Sequence, residues 1–203
     1  MTSPTTMLDA NELLHFAIKA SRSNENEKAI LYLKHALALS PDNAKIHYFL
    51  GAQHAEIGMF DRAIEDMSKA VSIDPSLDTA HFQLGLLYAT SGRVTEATNA
   101  WKALDNLGDK HALYLFKTGL LHLAKDEFVA AHEHLTRGIE LNKANPDLNR
   151  DMQKILGNVQ KAVEATTSIA AAANNGEPDN KSGNSNHIFL SAYNNEEDED
   201  KKH

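Results

Sequence analysis

The chain has 203 residues, eleven of them histidine and none cysteine, so metal and acid–base chemistry are the first possibilities to weigh. The run His132-Glu133-His134 resembles the opening of a zinc-protease helix. That site needs its second histidine four residues after the first, on the same helical face, and position 136 is Thr136. On a helix His132 and His134 point about 200° apart, so one ion cannot take both. His122 and Asp126 do have i, i+4 spacing, but a zinc site takes three or four protein ligands. No glycine-rich phosphate loop, nucleophile elbow or paired carboxylates in a cleft accompany them. No metal, cofactor or catalytic residue is therefore expected. A histidine-dependent metal hydrolase is the disfavoured alternative.

Charge narrows the partners. The net charge is -8: residues 1–170 hold 17 Lys+Arg against 21 Asp+Glu, and residues 171–203 hold 3 against 7. An acidic chain without a basic block binds a phosphate backbone poorly, so no nucleic-acid partner is expected. The start, MTSPTTMLDANELL, lacks the continuous apolar region of a secretory signal. No run approaches the roughly 20 apolar residues that span a bilayer. With no disulfide framework to build, the expectation is a cytoplasmic protein with no membrane partner.

The elements that must position any site come from a fixed period. Gly51, Gly85 and Gly119 are 34 residues apart, as are Ala63, Ala97 and Ala131, and Tyr48, Phe82 and Phe116. Leu50 recurs as Leu84, His47 as His81, Gly58 as Gly92 and Pro41 as Pro75. Within a period the apolar residues fall at helical spacing: Ile46, Phe49 and Leu50, a break at Ile57 and Gly58, then Phe60, Ile64, Met67 and Val71. That pattern predicts two helices and a short turn per period, closed by Pro75. The small residues let paired helices approach at the near end of the 8–10 Å range. His47 and His81 are expected to pack between helices with hydrogen-bond partners.

These residues resemble the tetratricopeptide repeat family, which pairs Leu-Gly and an aromatic in one helix with alanines in the next and a closing proline. Leu50-Gly51, Ala63, Ala70 and Pro75 carry the pattern, as do Leu84-Gly85, Tyr88 and Ala97, and Ala29, Ala36 and Pro41. Leu104 and Asp109 depart from it, as does Lys143. The resemblance implies an all-α fold, a right-handed solenoid of helix-turn-helix repeats over 10–43, 44–77, 78–111 and 112–145. A flexible N-terminus (1–9) precedes it. Over 146–173 the stripe Met152, Ile155, Leu156, Val159 and Val163 predicts a capping helix. The polar stretch NNGEPDNKSGNSN opens a disordered acidic tail over 174–203.

In that family the first helices line a concave face. Carried over, the resemblance places Leu14, Ile18, Tyr48, Ala52, Phe82, Leu86, Phe116 and Leu120 on one apolar wall, partly open to solvent. Some members clamp a terminal carboxylate with Lys, Asn and Arg; the matching places hold Leu14, Ile18, Phe49, Thr79 and Gln83, or, one repeat on, Tyr48, Ala52, Gln83, Leu113 and Lys117. Neither set is a clamp. The expected function is a non-catalytic module binding an apolar or aromatic protein segment, with a secretion-chaperone-like role as the alternative. The motif at 187–194, with Ile188, Phe189, Leu190 and Tyr193, is expected as an extended ligand for such a groove. Weak self-association through the tail or the capping helix is a further expectation.

Overall fold

The computed structural model describes residues 8–172 and 185–193. Residues 1–7 of the expected flexible N-terminus, residue 173 of the expected capping helix, and 174–184 and 194–203 of the expected disordered tail lie outside the described residues. All regular structure among those described is helical: α1 (Ala10–Arg22), α2 (Asn26–Leu39), α3 (Ala44–Glu56), α4 (Phe60–Ile73), α5 (Asp78–Thr90), α6 (Val94–Trp101), a 3-10 segment (Lys102–Leu107), α7 (Ala112–Leu123), α8 (Phe128–Leu141), α9 (Pro146–Ala172) and α10 (Ser185–Leu190).

Local chemistry sets the helix ends. Asp9 and Glu12 form a capping box on α1, the Asp9 carboxylate accepting from the Asn11 and Glu12 amides and Glu12 reaching back to the Asp9 amide. Asn43 caps α3 through the Lys45 and Ile46 amides. The turn inside each hairpin is built four times over. Asn24, Gly58, Gly92 and Asp126 stand 34 residues apart and all have left-handed φ, at 56°, 75°, 73° and 58°. The next amide in each case (Glu25, Met59, Arg93, Glu127) donates to a carbonyl five residues back, at 2.8–3.0 Å. This is the Schellman end, whose left-handed residue is best filled by glycine and next by Asn or Asp.

Two compact units result, Met1–Leu87 and Tyr88–His203. In the first, α1 packs on α2, α3 on α4, and α3 also touches α1 and α2, around Leu13, Ala17, Leu33, Ala36, Ile46 and Leu50. Close approach is built in at Gly51, where a Cβ would stand 3.0 Å from Met67 and 3.1 Å from the Ala63 carbonyl. In the second unit α7 packs on α8, and α9 packs on α8 and α10.

The third hairpin departs from the regular pattern in its second helix. α6 has eight residues where α2, α4 and α8 have fourteen, and continues as the 3-10 segment. Leu104, fully buried, stands where Ala70 and Ala36 occur one and two periods earlier.

At the end of α8 three asparagines replace the closing proline. The buried Asn142 amide donates to the Asn145 carbonyl at 2.9 Å and to the Asn149 side chain at 2.8 Å, and Asn149 donates back to the Asn142 carbonyl at 2.9 Å. Asn145 caps α9 through the Leu148 amide at 3.0 Å. Of the stripe expected on α9, Met152, Ile155 and Val159 are buried and Leu156 and Val163 half-buried; Leu148 is buried as well.

Candidate binding surface

The eight predicted wall residues do not share one environment. Leu14 and Ile18 on α1 and Tyr48 and Ala52 on α3 are half-buried. Leu14 rests on the core of the first unit, and the Tyr48 ring meets Phe49 edge-on at 5.2 Å. Phe82, Leu86, Phe116 and Leu120 are 0–1% exposed. The expectation that these four stand partly open is corrected: they are closed to solvent.

For Phe116 the cause is explicit. A Cβ built on Gly138 would lie 2.5 Å from two carbons of the Phe116 ring, so the ring fills the notch that a glycine leaves in α8. Helical spacing locates Phe116 on its helix, and the missing side chain opposite leaves room for its ring. Gly138 was legible only as one more small residue.

Polar residues near the wall are engaged. Lys117 is buried, with its ammonium held by Asp105 and lying 4.7 Å from the Tyr114 ring centroid. A carboxylate ligand would have to compete with both. The histidines at the repeat position make the same bond twice: His47 Nε2 donates to the Pro41 carbonyl at 3.0 Å and His81 Nε2 to the Pro75 carbonyl at 3.1 Å. Each fastens the turn six residues before it. His54 Nδ1 donates to Asp66 at 2.7 Å, tying α3 to α4.

The acid beside His122 is Glu127, at 2.5 Å, and not Asp126, which the left-handed turn carries off the helix. That hydrogen bond holds the Glu127 carboxyl below its usual range. His134 stacks on His122 at 5.1 Å while its Nδ1 donates to the Ala130 carbonyl at 2.9 Å. Among the described residues no three His, Asp or Glu side chains could hold a metal. An open depression of about 780 Å³ lies at the turns before α3 and after α4, lined by polar residues such as Ser40, Asn43, Lys45 and Asp74, and none of the wall residues borders it.

The tail motif is not extended. Residues 185–190 form α10 and 191–193 a turn, and α10 packs on α9. Phe189 is fully buried, while Ile188, Leu190 and Tyr193 are half-buried. The Ser191, Ala192 and Tyr193 amides donate three residues back, so the backbone is paired within the segment.

A family model described as "Tetratricopeptide repeat" matches residues 44–77, the span of α3 and α4. Over 147 residues the chain is 28% identical to the small glutamine-rich tetratricopeptide repeat-containing protein 2 of Saccharomyces cerevisiae, covering 72% of this chain and 40% of that protein. Residues 44–77 thus match a tetratricopeptide repeat, and the chain is similar to tetratricopeptide repeat proteins. Solved structures of this repeat fold are similar across most of its length. The Cut9-Hcn1 hetero-tetramer of APC/C superposes with a TM-score of 0.66 at 18% identity, over 82% of this chain and 32% of that one. MamA from Desulfovibrio magneticus RS-1 superposes with a TM-score of 0.56 at 17% identity, over 83% and 97%. At such identities the likeness concerns the fold alone. The chain spans less than half the length of the yeast tetratricopeptide relative. No helix among the described residues is long and apolar enough to cross a membrane.

Proposed function

We propose that the chain is a non-catalytic interaction module and that the face shared by α1 and α3, with Leu14, Ile18, Tyr48 and Ala52, receives an apolar or aromatic segment of a partner protein. One observation carries the reading. In a tetratricopeptide repeat chain whose later wall residues are closed, these four remain half-open on two helices that touch. An apolar stripe left partly in water is a docking surface in search of cover. Magnitude limits what the face does alone. Covering the open half of three large side chains yields about 2–4 kcal/mol, against an association cost of at least about 4 kcal/mol. The partner segment therefore also contributes backbone hydrogen bonds or reaches beyond these residues. Weak self-association through α9 and the tail belongs to the same reading.

The test is a peptide selection on the full-length chain from a random display library. Selected peptides rich in Leu, Phe or Trp are expected to lose at least tenfold in affinity for an Ile18→Glu, Tyr48→Glu variant that keeps its helicity and melting temperature. Peptides that bind the variant as well as the parent would remove this face from the proposal.

A further inference from the structure

α9 has 27 residues and is about 40 Å long, whereas α8, which it packs on, has 14 residues and is about 21 Å long. Roughly half of α9 therefore runs past any cover that α8 gives. α10 packs on α9 and closes Phe189 completely, with Ala192 5% exposed. A six-residue helix has no stability of its own, since isolated helices below ~12–15 residues are marginal even in favourable sequences. The order of α10 thus comes from its seat.

The way it is held is also constrained. The amides of Ser191, Ala192 and Tyr193 donate to the carbonyls of Ile188, Phe189 and Leu190 at 3.0–3.2 Å, and the Ser191 hydroxyl donates to the Ile188 carbonyl at 2.6 Å. A backbone satisfied in this way has little left for strand addition. Side chains carry the contact, with Phe189 as the buried anchor, in the manner of a helix laid into a groove. Fully buried aromatics of this kind dominate binding energy where they occur.

We infer that α9 carries a seat for a short amphipathic helix with a phenylalanine anchor, filled in this chain by α10, and that α10 of a second copy takes the same seat when the resident one leaves. The occupant follows from the molecule: each copy holds one seat and one matching helix, so reciprocal exchange gives a closed dimer in which both seats are filled. The inference rests on the self-association part of the proposed function and is independent of the face on α1 and α3.

A fluorescent peptide of residues 184–195 tests it against the full-length chain and its Phe189→Asp variant. The variant, its own anchor spoiled, is expected to bind the peptide at least tenfold more tightly than the parent chain, whose seat is filled. A Phe189→Ala peptide is expected to lose that binding at least tenfold. Equal affinity for the two chains, no binding to either, or undiminished binding of the Phe189→Ala peptide overturns the inference. Hydrogen exchange on the unmodified chain gives an answer independent of how the variant folds. Amides over 185–193 are expected to be protected, and exchange at free-peptide rates overturns the seat. Peptide binding that survives Tyr48→Glu separates this site from the α1–α3 face, so the two readings fail separately.

Discussion

Tyr48 and Phe116 hold the same place in their hairpins, 68 residues apart, and differ in fate: Tyr48 is half-open and Phe116 is fully buried. The two first helices carry the same pattern. The difference lies on the second helix, where Gly138 admits the Phe116 ring and the equivalent residue two periods earlier is Ala70. In this pair the buried ring faces a glycine notch and the half-open one faces a methyl group, whereas Phe82, equally buried, has Leu104 at the equivalent place.

The comparison can be broken by four substitutions, beginning with the largest expected effect. Phe116→Ala should lower stability by about 3–5 kcal/mol, as loss of a buried aromatic does. Tyr48→Ala should cost under about 1 kcal/mol. Equal shifts in the urea midpoint would mean that the two residues are not different in kind. For the same reason a charge at Phe82 or Phe116 tests folding and not binding.

Gly138→Ala comes next. Alanine favours a helix interior by about 1 kcal/mol over glycine, yet here its Cβ would collide with the Phe116 ring, and overpacking costs about 1–3 kcal/mol. A net loss is expected in the denaturant melt. The loss should shrink in a Phe116→Leu background, the coupling that a double-mutant cycle detects. Additivity would show that the notch does not hold the ring.

Ala70→Gly should cost about 1 kcal/mol of helix propensity. Its use lies in a different readout. Opening the equivalent notch should draw Tyr48 inward and slow its nitration by tetranitromethane, followed by peptide mass spectrometry. An unchanged rate would confine the notch mechanism to the α7–α8 hairpin.

The repeat fold was legible because it is written as identities at a fixed distance: Gly51 with Gly85 and Gly119, Ala63 with Ala97 and Ala131. Where the period is kept by geometry instead of identity it was harder to see. Asn24 and Asp126 belong with Gly58 and Gly92, since what recurs is a left-handed φ that three residue types can supply. The binding face was half legible. Spacing assigns a residue to a helix face, but the room for the Phe116 ring comes from Gly138, which is distant in the pattern. Leu104 in place of alanine did mark an irregular third hairpin, without saying that the helix would tighten to 3-10 form. The helicity of α10 was not legible in its sequence, which was expected to be extended; α10 packs on α9.

The four left-handed turns have a consequence for how such a chain can change in length. Residues 24, 58, 92 and 126 present one backbone conformation, followed in each case by the same returning hydrogen bond. A genetic splice from one to another removes or adds 34 residues and leaves the seam with the geometry it had. The junction is strain-neutral, so selection on repeat number acts through the packing of the newly adjoined helices and not through the cut. Turns of this kind are the natural recombination points of the array.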